Sequence, residues 1–464
     1  MSIELGVSDI LKITGGNLIQ GNDFGLVKGI SIDSRSVAEG NCFIAIKGAH
    51  FDGHDFVADA VKKGARAVIV SRGVDIGGDV PVINVDDTVK ALGKLAAFHR
   101  RKFNVPVVAI TGSNGKSTTK QMTAAALRSL GKVLKTEGNF NNLIGLPLTV
   151  LRWEEDDKAA VLEMGMSAPG EIGWLTEVSD PDVGVITNIS AAHIEFLHSI
   201  ENVAEAKGEL FKHMKSDGVA VVNLEDPRVV ELARRYKRRT YTFGMQNNAD
   251  VRFGRMESRA LESVDMTLYV EGREYKMHLK VPGTHNVMNA MAALAVAKVI
   301  GINTEEAIAG IESFEPMSMR MERIQLRNGI QLVNDSYNAN PSSMKEALRT
   351  VSGAKRSGRF VAVLGDMLEL GTDSDRCHEE VGKFAASYHV DRLFVFGNFA
   401  THISAGAQMG GMKKDNISVY SDINKLNEDL LHFLKTGDVV LVKGSRGMKM
   451  ERVSDFLKDE IGVE

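Results

Sequence analysis

The chain has 464 residues, of which 44% are hydrophobic and 25% charged, and its formal net charge is −4. This length and composition are typical of a globular protein with two or three domains, because one hydrophobic core rarely serves so long a chain. No Lys/Arg-rich block offsets the slightly acidic balance, which argues against nucleic acid as a partner.

The start of the chain and the cysteines bear on location. Residues 1–9 include an acid and no long apolar run, so we expect no signal peptide, and no segment approaches the length of a membrane span. The only cysteines, Cys42 and Cys377, have neither metal-site nor disulfide-framework spacing. We therefore expect reduced thiols and a cytoplasmic protein.

Hydrophobic patterning predicts an α/β protein with three domains. Residues 1–85 contain short β-like runs and a helical stretch, typical of a small α/β domain, and residues 86–104 indicate a linker helix. Residues 105–315 alternate apolar strands and helices, as in a central P-loop ATPase-like domain with a parallel sheet. Residues 316–464 repeat the alternation, which predicts a doubly wound Rossmann-like domain without a dinucleotide fingerprint.

The strongest local signal is a glycine-containing loop that directly follows the apolar run 105–110. Its glycines let backbone N–H groups turn toward phosphate oxygens, its lysine adds a positive charge, and the serine that follows this lysine, Ser117, offers a hydroxyl to magnesium. Ile110 stands where the common phosphate-loop motif has its first glycine, which argues against most GTPases and motor ATPases. The residues predicted to bind the phosphates of a nucleoside triphosphate, and of ATP if the family resemblance given below holds, are Thr111, Gly112, Ser113, Asn114, Gly115, Lys116, Ser117 and Thr118.

Three further residues of the central region are candidates for chemistry. Glu163 lies within an apolar strand, where it could hold magnesium or simply reach solvent at the strand end. His193 follows the next apolar strand and is either structural or functional. Lys207 lies on a predicted helix, and the default interpretation is a solvated lysine.

Amide-rich loops suggest ligand contacts in two domains. Asn139, Asn141 and Asn142 crowd a loop of the central region and could bind the polar groups of a ligand. In the last region, Asp335 could accept hydrogen bonds from ribose, whereas Asn338 and Asn340 either contact a ligand or build an Asx turn.

Cationic residues of the last region complete the candidate site. Arg320 lies at the join of the second and third regions, from where it could reach the phosphates as they gain charge. Lys443, Ser445 and Arg446 follow the last predicted strand and suit a carboxylate or phosphate.

Taken in order, these blocks resemble those of the Mur ligases, the ATP-dependent amide-forming enzymes of peptidoglycan precursor synthesis. The resemblance covers essentially the whole chain. Its first-domain blocks, with the runs 337–341 and 365–371, are those of the members that add D-alanyl-D-alanine. The matching blocks are Asp33–Arg35, Phe51–Phe56, Thr111–Ser117, Glu163–Met166, His285–Asn289, Asp335–Pro341, Gly365–Gly371 and Lys443–Arg446.

The resemblance implies a substrate pair, UDP-MurNAc-tripeptide and D-Ala-D-Ala, joined through an acyl phosphate with ATP and two Mg²⁺ ions. It implies catalytic roles for Lys116, His193, Lys207 and Arg320. Metal ligands would be Ser117, Glu163, His193 and a carbamylated Lys207. Beyond the loop, ATP would meet Asn289, Arg320, Asp335 and Asn338. Substrate-binding residues would be Ser34, Arg35, Lys47, Gly48, Asn139, Asn142, Tyr337, Asn340, Lys443, Ser445 and Arg446.

Two departures and two alternatives accompany this hypothesis. Met319 and Ser190 stand where family members often have glycine, which affects loop geometry more than chemistry. The nearest alternative is the sibling ligase that adds the third amino acid, but no Asn-Pro-Arg follows residue 316. A nucleotide-dependent switch would need a guanine-recognising Asn-Lys-x-Asp, which the chain lacks. We expect the protein to act as a monomer.

Overall fold

The structure, a computed structural model, describes residues 3–191, 194–354 and 358–464. Its main sheets have five, nine and six strands and follow one another along the chain, with helices packed against them. This architecture confirms the predicted α/β class with three domains. Within the described residues, no helix combines the length and apolar character that crossing a membrane requires.

The first domain is built on a five-stranded sheet of order β2-β7-β6-β5-β4, with β2 antiparallel to its neighbour and the other pairs parallel. A separate antiparallel pair joins β1 and β3. The elements are β1 (Glu4–Gly6), α1 (Val7–Thr14), β2 (Asn17–Gln20), β3 (Leu26–Lys28), β4 (Ile30–Ser31), β5 (Cys42–Ile44), α2 (Val57–Lys62), β6 (Ala67–Val70) and β7 (Val82–Asn84).

The predicted linker helix is α3 (Thr88–Arg100), and it fastens the first domain to the second. Asp87 caps it by accepting hydrogen bonds from the backbone N–H groups of Val89 and Lys90. One buried apolar cluster runs from the first sheet through α3 into the central domain, including Ile69, Leu92 and Leu146. Because this core is shared and apolar, the first two domains pack as one body.

The central domain is a nine-stranded sheet of order β16-β15-β14-β13-β12-β11-β8-β10-β9. Strand β8 is fully buried between β10 and β11, parallel to both, so its carboxyl end opens among theirs. The elements are β8 (Val107–Thr111), α4 (Lys116–Ala126), β9 (Lys132–Lys135), α5 (Gly145–Val150), β10 (Asp157–Glu163), α6 (Glu171–Ser179), β11 (Val183–Ile186), α7 (Ile194–Leu197), α8 (Ile200–His213), β12 (Val219–Asn223), α9 (Pro227–Arg235), β13 (Arg239–Gly244), β14 (Val251–Arg259), β15 (Ser263–Val270), β16 (Arg273–Leu279), α10 (Thr284–Ile300) and α11 (Thr304–Glu312).

The predicted alternation of strand and helix is wrong for β14–β16, which form an antiparallel arm. Much of β14 is exposed, so its sequence lacks the continuous apolar run of a buried parallel strand. A tight turn at Glu271 and Gly272, both with positive φ, joins β15 to β16. Two-residue turns with positive φ are typical of β-hairpins. Gly272 is therefore the residue from which the sequence could have predicted this hairpin.

The third domain is a six-stranded sheet of order β17-β18-β22-β19-β20-β21, parallel except for the edge strand β17. It is the predicted doubly wound arrangement. The elements are β17 (Glu322–Leu326), β18 (Ile330–Asn334), α12 (Pro341–Gly353), β19 (Phe360–Gly365), α13 (Ser374–Ser387), β20 (Arg392–Phe396), α14 (Ala400–Met409), β21 (Ile417–Tyr420), α15 (Ile423–Phe433), β22 (Val439–Lys443) and α16 (Glu451–Ile461).

The tip of the antiparallel arm reaches into the third domain. Leu261, between β14 and β15, is 3% exposed and belongs to the same buried cluster as Met321 and Leu348. Next to it, Glu262 forms an ion pair of 3.0 Å with Arg323. The arm therefore gives the central domain an apolar anchor in the third.

We expect Leu261→Ala to lower the free energy of unfolding by about 2–4 kcal/mol, because a buried leucine leaves a cavity in the third-domain core. Urea unfolding followed by circular dichroism measures the loss. Met256→Ala, on the same arm but 40% exposed, is the matched control and should change little. Equal effects of the two substitutions would show that the tip is not anchored.

Candidate active site

The phosphate loop connects the buried strand β8 to α4, which begins at Lys116. Gly112 has φ +148°, and a Cβ there would lie 1.8 Å from Thr187 Oγ1. Gly115 has φ +82°, and a Cβ there would lie 2.4 Å from Asn289 Oδ1. Only glycine fits either position, and the loop directs the amino end of α4 toward its own concave side, as anion-binding loops do.

Hydrogen bonds tie this loop to the segment that follows β11. The backbone N–H of Asn114 donates to Asn188 Oδ1 at 3.0 Å, and Thr187 Oγ1 donates to the Asn114 carbonyl at 2.6 Å. Ser113 Oγ donates to the Ser190 carbonyl at 3.0 Å and accepts from the Ser190 N–H at 2.9 Å. The segment leading to residue 193 is thus held against the phosphate loop. His193 itself lies outside the described residues.

Lys116 folds back over the loop. Its Nζ donates to the carbonyl of Gly112 at 2.6 Å. Burial lowers the pKa of this ammonium; Glu163 opposes the shift and Arg320 adds to it. The cation is therefore held at the loop by backbone carbonyls, and an approaching phosphate needs only a rotation of the side chain.

Glu163, at the end of β10, is 2% exposed and forms an ion pair of 3.2 Å with Lys120, which is equally buried. Its Oε1 accepts a hydrogen bond from Asn141 Nδ2 at 2.9 Å. Burial raises the pKa of this carboxyl, but Lys120 and Lys116 lower it, and the net direction is down. The carboxylate is therefore ionised, as a metal ligand must be.

Sequence reasoning missed Lys120 as a member of the site and named Asn141 only as one of three asparagines in its loop. Lys120 lies four residues after Lys116 on α4, so both side chains project from the same face of the helix. This spacing could have predicted that Lys120 lies near the phosphate loop. Asn141 lies in the recognised amide-rich loop, but Asn139 and Asn142 were the residues singled out. Asn139 is exposed, and Asn142 Oδ1 instead accepts from the N–H groups of Ile144 and Gly145 at the start of α5.

Lys207 contradicts the default interpretation of a solvated lysine. It lies on α8 with 2% exposure, and burial lowers the pKa of its amine well below the usual value, with Lys116 adding to the shift. Among the described residues, none forms an ion pair with it. A buried amine without a counter-ion favours the neutral form, which is the nucleophilic one.

Arg320 brings the third domain to the phosphate loop. Its Nη2 donates to Ser117 Oγ at 2.9 Å, and its guanidinium stacks 3.9 Å from the Tyr337 ring centroid. The preceding Met319, which replaces a frequent family glycine, adopts φ +57°. That conformation costs a side-chain-bearing residue about 1–2 kcal/mol, so the backbone here is held by its surroundings.

Two asparagines predicted to meet ligands also lie at the loop. Asn289, on α10, accepts from Thr119 Oγ1 at 3.2 Å and lies against Gly115. Asn340, in the third domain, donates from Nδ2 to Asn114 Oδ1 at 2.8 Å. The structure therefore places Asn340 at the nucleotide loop, and its predicted contact with substrate stays a prediction.

Several other third-domain candidates hold one another instead of facing solvent. Lys443 is 2% exposed, and its Nζ donates to Asp335 Oδ2 at 2.6 Å and to the Asn338 carbonyl at 2.9 Å. Asp335 Oδ1 accepts from the Met321 N–H, and the buried Ser445 accepts from the Leu368 N–H. In this structure Lys443 and Ser445 support the loops around them, and their predicted contacts with substrate stay predictions.

Arg446 and Asn338 remain exposed at this edge of the third domain. The Arg446 guanidinium lies 5.9 Å from the Tyr337 ring centroid and donates to Glu451 Oε1 at 3.1 Å. Asn338 Oδ1 accepts only from the adjacent Ala339 N–H among the described residues, so its amide nitrogen faces outward. Both are accessible to a ligand.

The first-domain candidates lie at the carboxyl ends of β4 and β5. Arg35 donates from Nη2 to Asp33 Oδ2 at 2.7 Å and lowers the pKa of that carboxyl to about 2. The carbonyl of Ser34 accepts a hydrogen bond from Lys63 Nζ at 2.9 Å. Lys47 and Gly48 follow β5 and are exposed. A phosphate would have to compete with Asp33 for the Arg35 fork.

The donor set fits a hard cation beside bound phosphates. Glu163 Oε2 is buried with Lys120 Nζ 3.2 Å away, and the Ser117 hydroxyl is near enough to help lower the pKa of this carboxyl. Within the described ranges, no three His, Cys, Asp or Glu side chains form a cluster that could hold a metal by itself. Oxygen ligands supplied by a nucleotide complete such a site, which is how magnesium is usually bound.

Comparison with known proteins gives matches to three family models along the chain. Residues 26–100 match the Mur ligase family catalytic domain, residues 110–297 the Mur ligase middle domain, and residues 319–446 the Mur ligase glutamate ligase domain. The UDP-N-acetylmuramoyl-tripeptide–D-alanyl-D-alanine ligase of Bacillus subtilis is 40% identical over 429 residues, covering 92% of each chain.

Solved structures give the same result. MurF from Acinetobacter baumannii has a TM-score of 0.91 at 30% identity, covering 98% of this chain and 99% of that one. MurF from Thermotoga maritima, solved in complex with ADP, has a TM-score of 0.84 at 32% identity, covering 93% of this chain and 97% of that one.

The ion pair of Lys120 and Glu163 can be tested by its effect on stability. We expect Lys120→Met to lower the free energy of unfolding by roughly 3–5 kcal/mol, because it leaves a buried carboxylate without its nearest cation. Lys62→Met, the control, removes an exposed lysine that pairs with the exposed Asp59 at 3.8 Å, and it should cost less than about 1 kcal/mol. The double variant Lys120→Met/Glu163→Gln should recover much of the loss.

The same pair has a pH signature. Lys120 holds the pKa of Glu163 down, so the pair's stabilisation is present above the carboxyl's unfolded pKa and is lost as pH falls. In Lys120→Met the pKa of Glu163 rises, and its protonated form needs no cation. The stability gap between wild type and variant should therefore narrow on acidification; a gap independent of pH would contradict the pairing.

Proposed function

This chain belongs to the Mur ligase family, and we propose that it joins D-alanyl-D-alanine to UDP-N-acetylmuramoyl-tripeptide with consumption of ATP. The near-full-length relatives named for this reaction support the assignment. The observation in the structure that carries it is the bond from Arg320 to Ser117, because it brings the third domain against the phosphate loop. A carboxylate and an amine held by different domains can then meet at the γ-phosphate.

The proposed chemistry has two steps. A carboxylate oxygen of the tripeptide attacks the γ-phosphorus of ATP, and the bond from that phosphorus to the β,γ-bridging oxygen breaks to release ADP. The amine nitrogen of D-Ala-D-Ala then attacks the carbonyl carbon of the acyl phosphate. Collapse of the tetrahedral intermediate expels phosphate, and the amine proton leaves to solvent or phosphate.

Each step moves negative charge, and the chain's own cations are placed to bind it. Lys116 contacts the β- and γ-phosphates in this proposal, because its ammonium already lies at the loop, where it donates to the Gly112 carbonyl. Arg320 exchanges the Ser117 hydroxyl for phosphate oxygens and stabilises the transferring group. No residue forms a covalent bond to substrate; positioning and charge stabilisation supply the rate.

Magnesium is part of the proposal. Ser117 and Glu163 would hold one ion, and His193 with carbamylated Lys207 would support a second. Bound Mg²⁺ would withdraw charge from the γ-phosphate and the acyl oxygen. Lys120 balances the Glu163 carboxylate and keeps its orientation fixed by an ion pair of 3.2 Å.

The burial of Lys207 supports its carbamylation. A neutral lysine nitrogen attacks carbon dioxide, a C–N bond forms, and one proton is released to water, which turns a buried neutral amine into a buried anion. The lowered pKa of the Lys207 amine makes the neutral form available near neutral pH. The resulting carbamate would face the positive charge of Lys116, which itself lowers the pKa of Lys207.

Substrate location follows from the domains. We place the UDP-sugar at Ser34, Arg35, Lys47 and Gly48 of the first domain, and D-Ala-D-Ala at the exposed Arg446 edge of the third. We propose that the protein acts in the cytoplasm, where ATP is available. Its two buried free thiols, Cys42 and Cys377, are in keeping with this location. One chain carries all three domains of the site, so we propose that it acts as a monomer.

The assignment is tested by phosphate release from ATP with UDP-MurNAc-tripeptide, with and without D-Ala-D-Ala. We expect turnover only when both substrates are present, because the acyl phosphate needs the amine to complete the reaction. Mass spectrometry of the product should show the pentapeptide. Turnover with lysine or diaminopimelate on the dipeptide form of the substrate, and none with D-Ala-D-Ala, would instead indicate the sibling ligase.

We expect Lys207→Ala to lower kcat by at least about 100-fold, because the variant cannot form the anionic carbamate. Lys212→Ala, an exposed lysine on the same helix, is the control and should leave kcat unchanged. In ¹³CO₂-equilibrated protein, NMR should show a carbamate carbon signal that Lys207→Ala lacks. Full activity of Lys207→Ala would refute the carbamate; partial rescue by small carboxylates would support it.

A further inference from the structure

One side-chain contact joins the third domain directly to the phosphate loop without involving a predicted catalytic group. Asn340 Nδ2 donates to Asn114 Oδ1 at 2.8 Å across 226 positions of sequence. Asn340 is 9% exposed, so water has little access to this bond. An amide pair shielded from solvent has a fixed geometry, because either group would be costly to leave unpaired.

Asn340 is also the cap of α12. Its Oδ1 accepts from the Ser343 N–H at 2.9 Å, and its own N–H donates to Ser343 Oγ at 3.0 Å. Pro341 occupies the first position of the helix. The capping box fixes the rotamer of Asn340, so its amide nitrogen points to the loop as a rigid extension of the third-domain sheet.

Asn114 also forms hydrogen bonds with the segment that follows β11. Its Nδ2 donates to Ser190 Oγ at 3.2 Å, and its backbone is bonded to Thr187 and Asn188. Ser190, where relatives often have glycine, supplies the hydroxyl that receives this bond. The result is a continuous chain of hydrogen bonds from α12 through the phosphate loop to the segment that leads to residue 193.

We propose that Asn340 is a positioning residue: the contact of its amide with Asn114 sets the geometry of the phosphate loop and of the segment 187–190. This rests on the proposed function. Both polar atoms of the Asn340 side chain are already engaged within the protein, so Asn340 acts through Asn114 and not by binding D-Ala-D-Ala.

The variant that separates these roles is Asn340→Asp. It keeps the size and the oxygen that caps α12, but it places a second oxygen against Asn114 Oδ1 where a donor was. We expect kcat to fall roughly three- to tenfold, the range of one interdomain hydrogen bond, with KM for both peptide substrates unchanged. Asn340→Ser, which keeps a capping oxygen but is too short to reach Asn114, should lower kcat similarly.

A double-mutant cycle with Asn114→Ala gives the decisive measurement. If the two amides act through each other, Asn340→Asp should change kcat by less than about twofold once Asn114 is alanine. A full effect of Asn340→Asp in that background would overturn the proposal. So would an unchanged kcat in the single variant, or a raised KM for D-Ala-D-Ala alone, which would identify a substrate contact.

Two controls keep the outcomes distinct. The thermal unfolding temperature of Asn340→Asp should differ little from that of the wild type, because the cap of α12 is retained. If that temperature falls, Asn340→Ser replaces Asn340→Asp in the double-mutant cycle. ADP affinity, measured by calorimetry on the four proteins without peptide substrates, should show the same non-additivity, because ADP phosphates lie on the loop that the contact positions. Wild-type protein that binds ADP but forms no amide would refute the proposed function alone, whereas additive ADP affinities would refute the docking contact.

Discussion

The close approach of the phosphate loop to the end of β11 is the constraint on which the site depends. No Cβ can be accommodated at Gly112 beside Thr187 Oγ1, so the chain must turn sharply where β8 leaves the sheet. That turn aims α4 at the loop and aligns the carboxyl ends of β8, β10 and β11. Glu163, Lys116 and the segment 187–190 then converge without any need for a flexible arm.

The charge balance of the interior explains what this site is suited to bind. Lys116 and Lys120 lie close to the buried carboxylate of Glu163, Lys116 also lowers the pKa of Lys207, and burial lowers the pKa of all three amines. Charging all three amines beside one carboxylate is costly unless a further anion is present. Triphosphate, an acyl phosphate and a carbamate on Lys207 are anions of the required kind, so the proposed chemistry is also what relieves the unfavourable charge.

The three domains are attached in physically different ways. An apolar core shared through α3 holds the first domain to the second, whereas the third meets the second through the Leu261 tip and a few polar contacts. Two hydrogen bonds between side chains, from Arg320 to Ser117 and from Asn340 to Asn114, join the third domain to the phosphate loop. The third domain is therefore attached to the second mainly at the Leu261 tip and at the phosphate loop.

The sequence by itself determined the phosphate loop, the parallel strands and the order of the domains, because glycine positions and apolar runs act through local backbone geometry. The sequence also contains the blocks that resemble those of the Mur ligases, and these blocks indicated ATP-dependent amide formation. Only the tertiary structure decided that Lys120 pairs with Glu163, that Lys207 is buried, and that Lys443 supports Asp335. Those facts depend on side chains brought together from distant parts of the chain, where burial and partner, not residue type, decide whether a lysine is solvated, paired or reactive.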